Sequence, residues 1–150
     1  MDQTARLPLG ARRWQPYVKT FRFRGVDLTG ATLQAQIRLY PNAPGAPLVD
    51  LLTVTNGNAE GLRIISVADD GGVPVTTVAL KVNETTVEGL PFAGEAGADT
   101  VLAYDMQVTP TAGSKQVWIE GEFWVLSAVT GAGGAVPSGA AFAGSPRKRP

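Results

Sequence analysis

From Trp14 to Val129, apolar and polar residues alternate with a period of two, and no stretch of similar length carries the stripe of an amphipathic helix. Three runs are clearest. In Ala31–Tyr40, Leu33, Ala35, Ile37 and Leu39 share one face, and Thr32, Gln34, Gln36 and Arg38 the other. In Thr100–Thr109, Leu102, Tyr104, Met106 and Val108 oppose Ala103, Asp105 and Gln107. In Gln116–Leu126, Val117, Ile119, Phe123 and Val125 oppose Trp118, Glu120, Glu122, Trp124 and Leu126. Shorter runs at Val18–Arg24, Leu48–Thr55, Gly61–Ile65 and Thr76–Val82 are mostly rich in β-branched and aromatic residues, which suit a pleated, half-buried surface.

Turn residues separate these runs. Pro41–Gly45, Asp69–Gly72 and Pro91–Gly94 each break a run, and Asn56-Gly57-Asn58 is a hairpin signal. Thr109–Ser114 joins the last two long runs, which then read as an antiparallel hairpin. Ser66–Asp70 and Glu84–Leu90 are each short enough for one helical turn. Seven or more short strands with frequent turns predict an all-β antiparallel sandwich, immunoglobulin-like or jelly-roll-like, of about seven to nine strands. The predicted organisation is a basic arm at residues 1–13, a sandwich at 14–130 and a Gly/Ala-rich arm with a basic end at 131–150.

Composition narrows the chemistry. The 150 residues are 44% hydrophobic, enough for a core, and they contain neither cysteine nor histidine. Disulfides, thiol nucleophiles, thiolate or imidazole metal sites and His-dependent triads are therefore excluded. The first ten residues lack the features of a secretory signal, and no apolar run approaches the ~20 residues of a membrane helix, so no membrane partner is expected. Thirteen basic residues balance thirteen acidic ones in sum but not in place. Arg6, Arg12, Arg13, Lys19, Arg22 and Arg24 lie near the start, Arg147, Lys148 and Arg149 near the end, and twelve acids between residues 25 and 146. Basic ends of this kind suit an acidic surface, such as that of an identical neighbour. The absence of a Lys/Arg run interleaved with aromatics, and the acidic middle, argue against nucleic acid.

No constellation points to catalysis or to a cofactor. Asp69-Asp70-Gly71-Gly72 has the oxygens for a cation but not the spacing of a calcium loop, and reads as a solvated turn. Glu120 and Glu122 fall ~7 Å apart on one strand face, within the range of a glycosidase pair, but alternate with core positions as solvated strand residues do. The indoles of Trp118 and Trp124 share that face. Three readings stay open for it: cover by other parts of the chain, a subunit interface, or a sugar-binding platform using both Trp residues and the two carboxylates. Arg12, Arg13, Trp118, Trp124, Phe142, Arg147, Lys148 and Arg149 are the candidate interface residues, with Phe142 the one sizeable anchor in the C-terminal arm. No catalytic or metal-binding residue is expected, and no cofactor.

Two segments carry a resemblance. WQPYVKTFRFRGVDLTGATLQAQIRL (14–39) and YDMQVTPTAGSKQVWIEGEFWVLSAVT (104–130) together resemble small β-sandwich virion proteins of tailed bacteriophages and prophages. They are similar to the immunoglobulin-like N-terminal domain of baseplate or tail-fibre adaptors. The resemblance implies a non-enzymatic structural subunit, assembled in the host cytoplasm into a virion. Its partners would be other virion proteins and further copies of itself in the tail, baseplate or fibre-attachment region. Longer adaptors continue into a stalk or receptor-binding module, so decoration of the phage head stays open beside the tail, as does a carbohydrate-binding module.

Overall fold

The structure, a computed structural model, describes residues 4–92 and 97–128. Nine strands and one short helix occur among them: β1 (Ala5–Arg6), β2 (Leu9–Arg12), β3 (Tyr17–Arg24), β4 (Thr32–Arg38), β5 (Val49–Leu52), β6 (Gly61–Asp70), β7 (Val73–Val82), α1 (Glu84–Glu88), β8 (Thr100–Thr109) and β9 (Gln116–Leu126). They form an all-β sandwich. One sheet runs β1-β9-β8-β4-β5, with β2 also on β9, and the other runs β3-β7-β6. The core lies between them, and Leu33, Ala35, Ile37, Leu102, Met106, Val108, Ile119, Phe123 and Val125 fill it from the larger sheet, as the alternation predicts. Phe21, Leu62, Val78, Leu80 and Val82 meet them from the smaller one. Tyr17 and Tyr104 both stand edge-on to Phe123, whose ring is central to the core.

The predicted organisation changes in three places, each for a physical reason. Ser66–Asp70 is strand, not a helical turn. It continues β6 past a bulge between Ile64 and Ser66, and Gly71 and Gly72, at φ 63° and 90°, close a two-residue hairpin onto β7. Glu84–Glu88, by contrast, is a helical turn as expected. Asn56-Gly57-Asn58 closes no hairpin: β5 and β6 lie in different sheets, and the segment carries the chain between them past a parallel Thr53–Leu62 bridge. Finally, residues 4–13 are not an arm. β1 and β2 run parallel to β9, with Leu9 opposite Phe123 and Ala11 opposite Val125, both buried.

Seating this N-terminal edge depends on Gly121. A side chain there would place its Cβ 2.6 Å from the Leu7 carbonyl oxygen, so only glycine leaves room for the Leu7 backbone to cross the strand. That carbonyl accepts a hydrogen bond of 2.5 Å from the hydroxyl of Tyr104, the residue opposite Gly121 on β8. Burial pushes the Tyr104 phenol well above its ordinary pKa, so it stays a neutral donor. Pro8, which cannot donate to the ladder, marks the break between β1 and β2.

Each crossing between sheets strands backbone groups that must find partners. At β3–β4 the buried Thr76 hydroxyl donates to Val26 O (2.7 Å) and accepts from Leu28 N–H (3.1 Å). Beyond the end of β5, Thr53 both donates to Leu33 O (2.9 Å) and accepts from Leu33 N–H (2.7 Å). Glu60 accepts the N–H of Asn83 at the start of α1.

Two outcomes follow. Gly121→Ala lowers the urea midpoint by the equivalent of about 1–3 kcal/mol, as overpacking does, and strips hydrogen-exchange protection first from residues 5–12. Thr76→Val, nearly isosteric, costs about 1–3 kcal/mol through two unpaired buried backbone groups, with an unchanged m-value in the same urea titration.

Candidate functional site

Among the described residues, the outer face of the larger sheet gathers more of the expected site residues than any other surface. In the strand register, Asp50, Gln36, Asp105, Glu120 and Arg6 form one rung across it. The side chains are linked: the amides of Gln34 and Gln36 both donate to Asp50 Oδ1 (2.8 and 3.2 Å), and Arg38 donates to Gln36 Oε1 (3.1 Å). Arg6 pairs with Glu120 at 3.0 Å. Asp105 is half-buried in this rung. Burial first, then the charge of Glu120, raise its pKa, while Arg38 acts in the opposite direction.

Toward the start of β8 the same face turns apolar. Val101, 42% exposed, lies opposite Trp124, and Leu126 follows two residues along β9. The tip of the β4–β5 hairpin extends this end with the exposed Leu39, Tyr40 and Leu48. Arg38 holds the tip in place through the carbonyls of Ala43 (2.9 Å) and Gly45 (2.7 Å). Glu122 accepts the Trp124 indole N–H at 3.0 Å and so orients the ring. Arg12 borders the strip opposite Leu126, its Nη1 3.4 Å from Ser127 O.

The other predicted residues lie elsewhere. Trp118 does not share the face of Trp124. A bulge opposite Met106 and Gln107 leaves Trp118 as the extra residue of β9, so the alternation slips there. Trp118 turns inward against the core and stands edge-on to Phe23 of the other sheet, ring centroids 5.5 Å apart, while Val117 pairs with the outward Gln107. Six strand residues also separate the two indoles by about 20 Å, so they form no joint sugar platform.

Arg13 is not a surface residue either. It is 4% exposed, at the corner where β2 leaves the larger sheet. Its guanidinium donates to the carbonyls of Glu88 (3.1 Å), Leu90 (2.8 Å) and Pro91 (2.9 Å) and reaches Val87 O at 3.5 Å. Phe92 packs its ring 4.0 Å from the charge. The carbonyl ends of a helical turn carry partial negative charge, so this site suits a cation without any carboxylate. Burial lowers the Arg13 pKa.

Phe142, Arg147, Lys148 and Arg149 lie outside the described residues. Of the carboxylates weighed for chemistry, Asp70 is paired with Arg24 and Asp69 accepts from Gly72 N–H (3.3 Å) in its turn. Glu120 and Glu122 are engaged by Arg6 and Trp124. Among the described residues, no three acidic side chains stand close enough together to hold a metal ion.

Sequence reasoning missed Val101, Leu48 and the Asp50–Arg6 rung. Val101 stood in a run whose outward positions were otherwise polar or small, and the rung exists only once five strands are in register.

Comparison of the chain with protein-family models, with curated protein sequences and with solved structures finds no match in any of the three.

The raised pKa of Asp105 makes a signed prediction. Between the ordinary aspartate pKa and the raised folded value, the folded state holds more protons than the unfolded state. Stability is thus lost as pH rises through that window, and the full cost of the buried charge is present above the raised value. Asp105→Asn therefore raises the melting temperature at pH 7, and the gain fades as pH falls to the ordinary aspartate value and below. Thermal melts of both proteins across that range check it.

Proposed function

We propose that the chain is a non-enzymatic structural subunit of a tailed-phage or phage-like particle, working through protein–protein contacts in its tail, baseplate or fibre-attachment region. One observation carries the reading. The outer face of the larger sheet ends in a partly exposed apolar strip, the exposed Val101 beside the half-buried Trp124 and Leu126, extended by the hairpin tip and bounded by Arg12, Glu122 and Arg38. Isolated exposed apolar residues are normal on a monomer, whereas a contiguous strip with a charged rim has the anatomy of a protein interface. Trp124 would be its anchor, since indoles recur at interface hot spots and this one is already oriented by Glu122.

The location in a phage particle rests on the resemblance of residues 14–39 and 104–130. Mechanistically, a subunit repeated around a particle needs no single strong contact. Many copies of a modest strip, held at high effective concentration, supply the avidity that one would lack.

The test uses the full chain. Trp124→Glu changes an outward, partly exposed position, so folding stability should stay within about 1 kcal/mol of the parent. Sedimentation of the purified chain, and its recovery in particles of a phage or prophage encoding it, should both show reduced association. A folded Trp124→Glu protein that assembles like the parent would overturn the reading.

A further inference from the structure

We infer that residues 4–13 are an exchangeable strand, which two copies of this chain lend to one another by seating it in the partner's β9 groove. Three independent features point to this.

The first is separability. β1 and β2 pair with β9 alone, at the edge of the larger sheet and at the N-terminal end of the described chain. Withdrawing them breaks one strand–strand interface and leaves the β9-β8-β4-β5 and β3-β7-β6 ladders intact.

The second is a socket specific for this strand. Gly121 makes the cleft that the Leu7 backbone crosses, and the Tyr104 hydroxyl waits for the Leu7 carbonyl. Leu9 and Ala11 fill core positions, and the guanidinium of Arg13 fits among the carbonyls that end α1. An empty socket would expose core apolar surface and leave Tyr104 without its acceptor. Residues 4–13 of another copy satisfy all these positions.

The third is the hinge. Only Trp14, Gln15 and Pro16 join Arg13 to Tyr17, and Trp14 sits at φ 77°, a left-handed conformation that bulky residues rarely adopt. Pro16 stiffens the same segment. A short, strained hinge favours exchange, because the closed and exchanged forms share every contact except those of the hinge itself. Opening it releases Trp14 while the strand regains its full set of partners on the neighbour.

This deepens the reading of the chain as an assembling subunit and rests on it, but the two can fail separately. The protein contains no cysteine, so single thiols report cleanly. Arg6 and Glu120 are register partners on the outward face, in contact at 3.0 Å. Full-length Arg6→Cys and Glu120→Cys chains, distinguished by a mass tag, are unfolded together, refolded at high concentration and oxidised. Reciprocal exchange between random partners gives a mixed disulfide, joining the two introduced thiols across chains, in roughly half of the dimers. Trp14→Gly, which relaxes the closed hinge, lowers that yield several-fold, and deletion of Gln15 raises it.

The doubly substituted chain supplies the opposite outcome. If it closes its disulfide within one chain at every concentration, while the mixture yields no mixed disulfide, the strand does not exchange and the proposal falls. Dimers that form without the mixed disulfide, and that Trp124→Glu abolishes, would also refute exchange while leaving assembly through the sheet face standing. Exchange with no further association in the presence of particle proteins would do the reverse.

Discussion

The constraint on which this fold depends is that a chain passing between two sheets must satisfy its backbone where no ladder can. The chain crosses four times, after β2, β3, β5 and β7, and at or beside each crossing a side chain stands in for a strand. Thr76 serves both a donor and an acceptor of the β3–β4 crossing, and Thr53 does the same for Leu33 where β5 gives out. Arg13 gathers the carbonyls of the turn that precedes β8 while itself marking the exit from β2. Among the described residues, no buried side-chain nitrogen or oxygen is left without a partner. These few polar residues therefore fix how the sheets are connected, and the apolar alternation only decides which faces meet.

This division explains what could be read in advance. A strand buried on one face writes its own pattern, so the bounds of Thr100–Thr109 and Gln116–Leu126 match β8 and β9 end to end, and the facing is legible throughout the first and from Ile119 onward in the second. A parallel edge strand broken by Pro8 and carrying Gly10 writes almost none. Leu9 and Ala11 become core residues only because β9 lies beside them. The bulge at Trp118 was equally silent, since one extra residue leaves composition unchanged while reversing the facing of what precedes it. Asn56-Gly57 misled for a related reason: turn residues state that the chain bends, and whether it returns to the same sheet is decided by the partners waiting beyond the bend.

The charge pattern changes meaning in the same way. In the sequence, the six basic residues before position 25 look like one basic segment. Folding separates five of them: Arg6 and Arg12 go to the outer face of the larger sheet, Arg13 to the interior, and Arg22 and Arg24 to the outer face of the smaller sheet. There Arg63 and Lys81 stand on the same side in the register, with Asp70 paired to Arg24. The asymmetry that matters lies between two sheet faces, one mixed and crossed by an acidic rung, the other mainly basic. Linear charge clustering is thus a poor guide to surface potential in this sandwich, where the chain crosses between the two sheets four times and each strand presents alternate residues to opposite faces.

The apolar strip and the N-terminal strand are also one structural feature rather than two. Gly10 lies opposite Trp124, and a Cβ placed on Gly10 would sit 3.6 Å from the Leu126 side chain, in ordinary contact. The edge of the strip therefore rests on the backbone of β2. If β2 leaves its groove, Trp124 and Leu126 lose the surface beside them, and the strip widens toward the exposed edge of β9. If another chain supplies β2, the strip is rebuilt across two subunits. A partner that recognises Trp124 and Leu126 would then sense the origin of the neighbouring strand without touching it, because packing at a sheet edge transmits a change of occupant through direct contact.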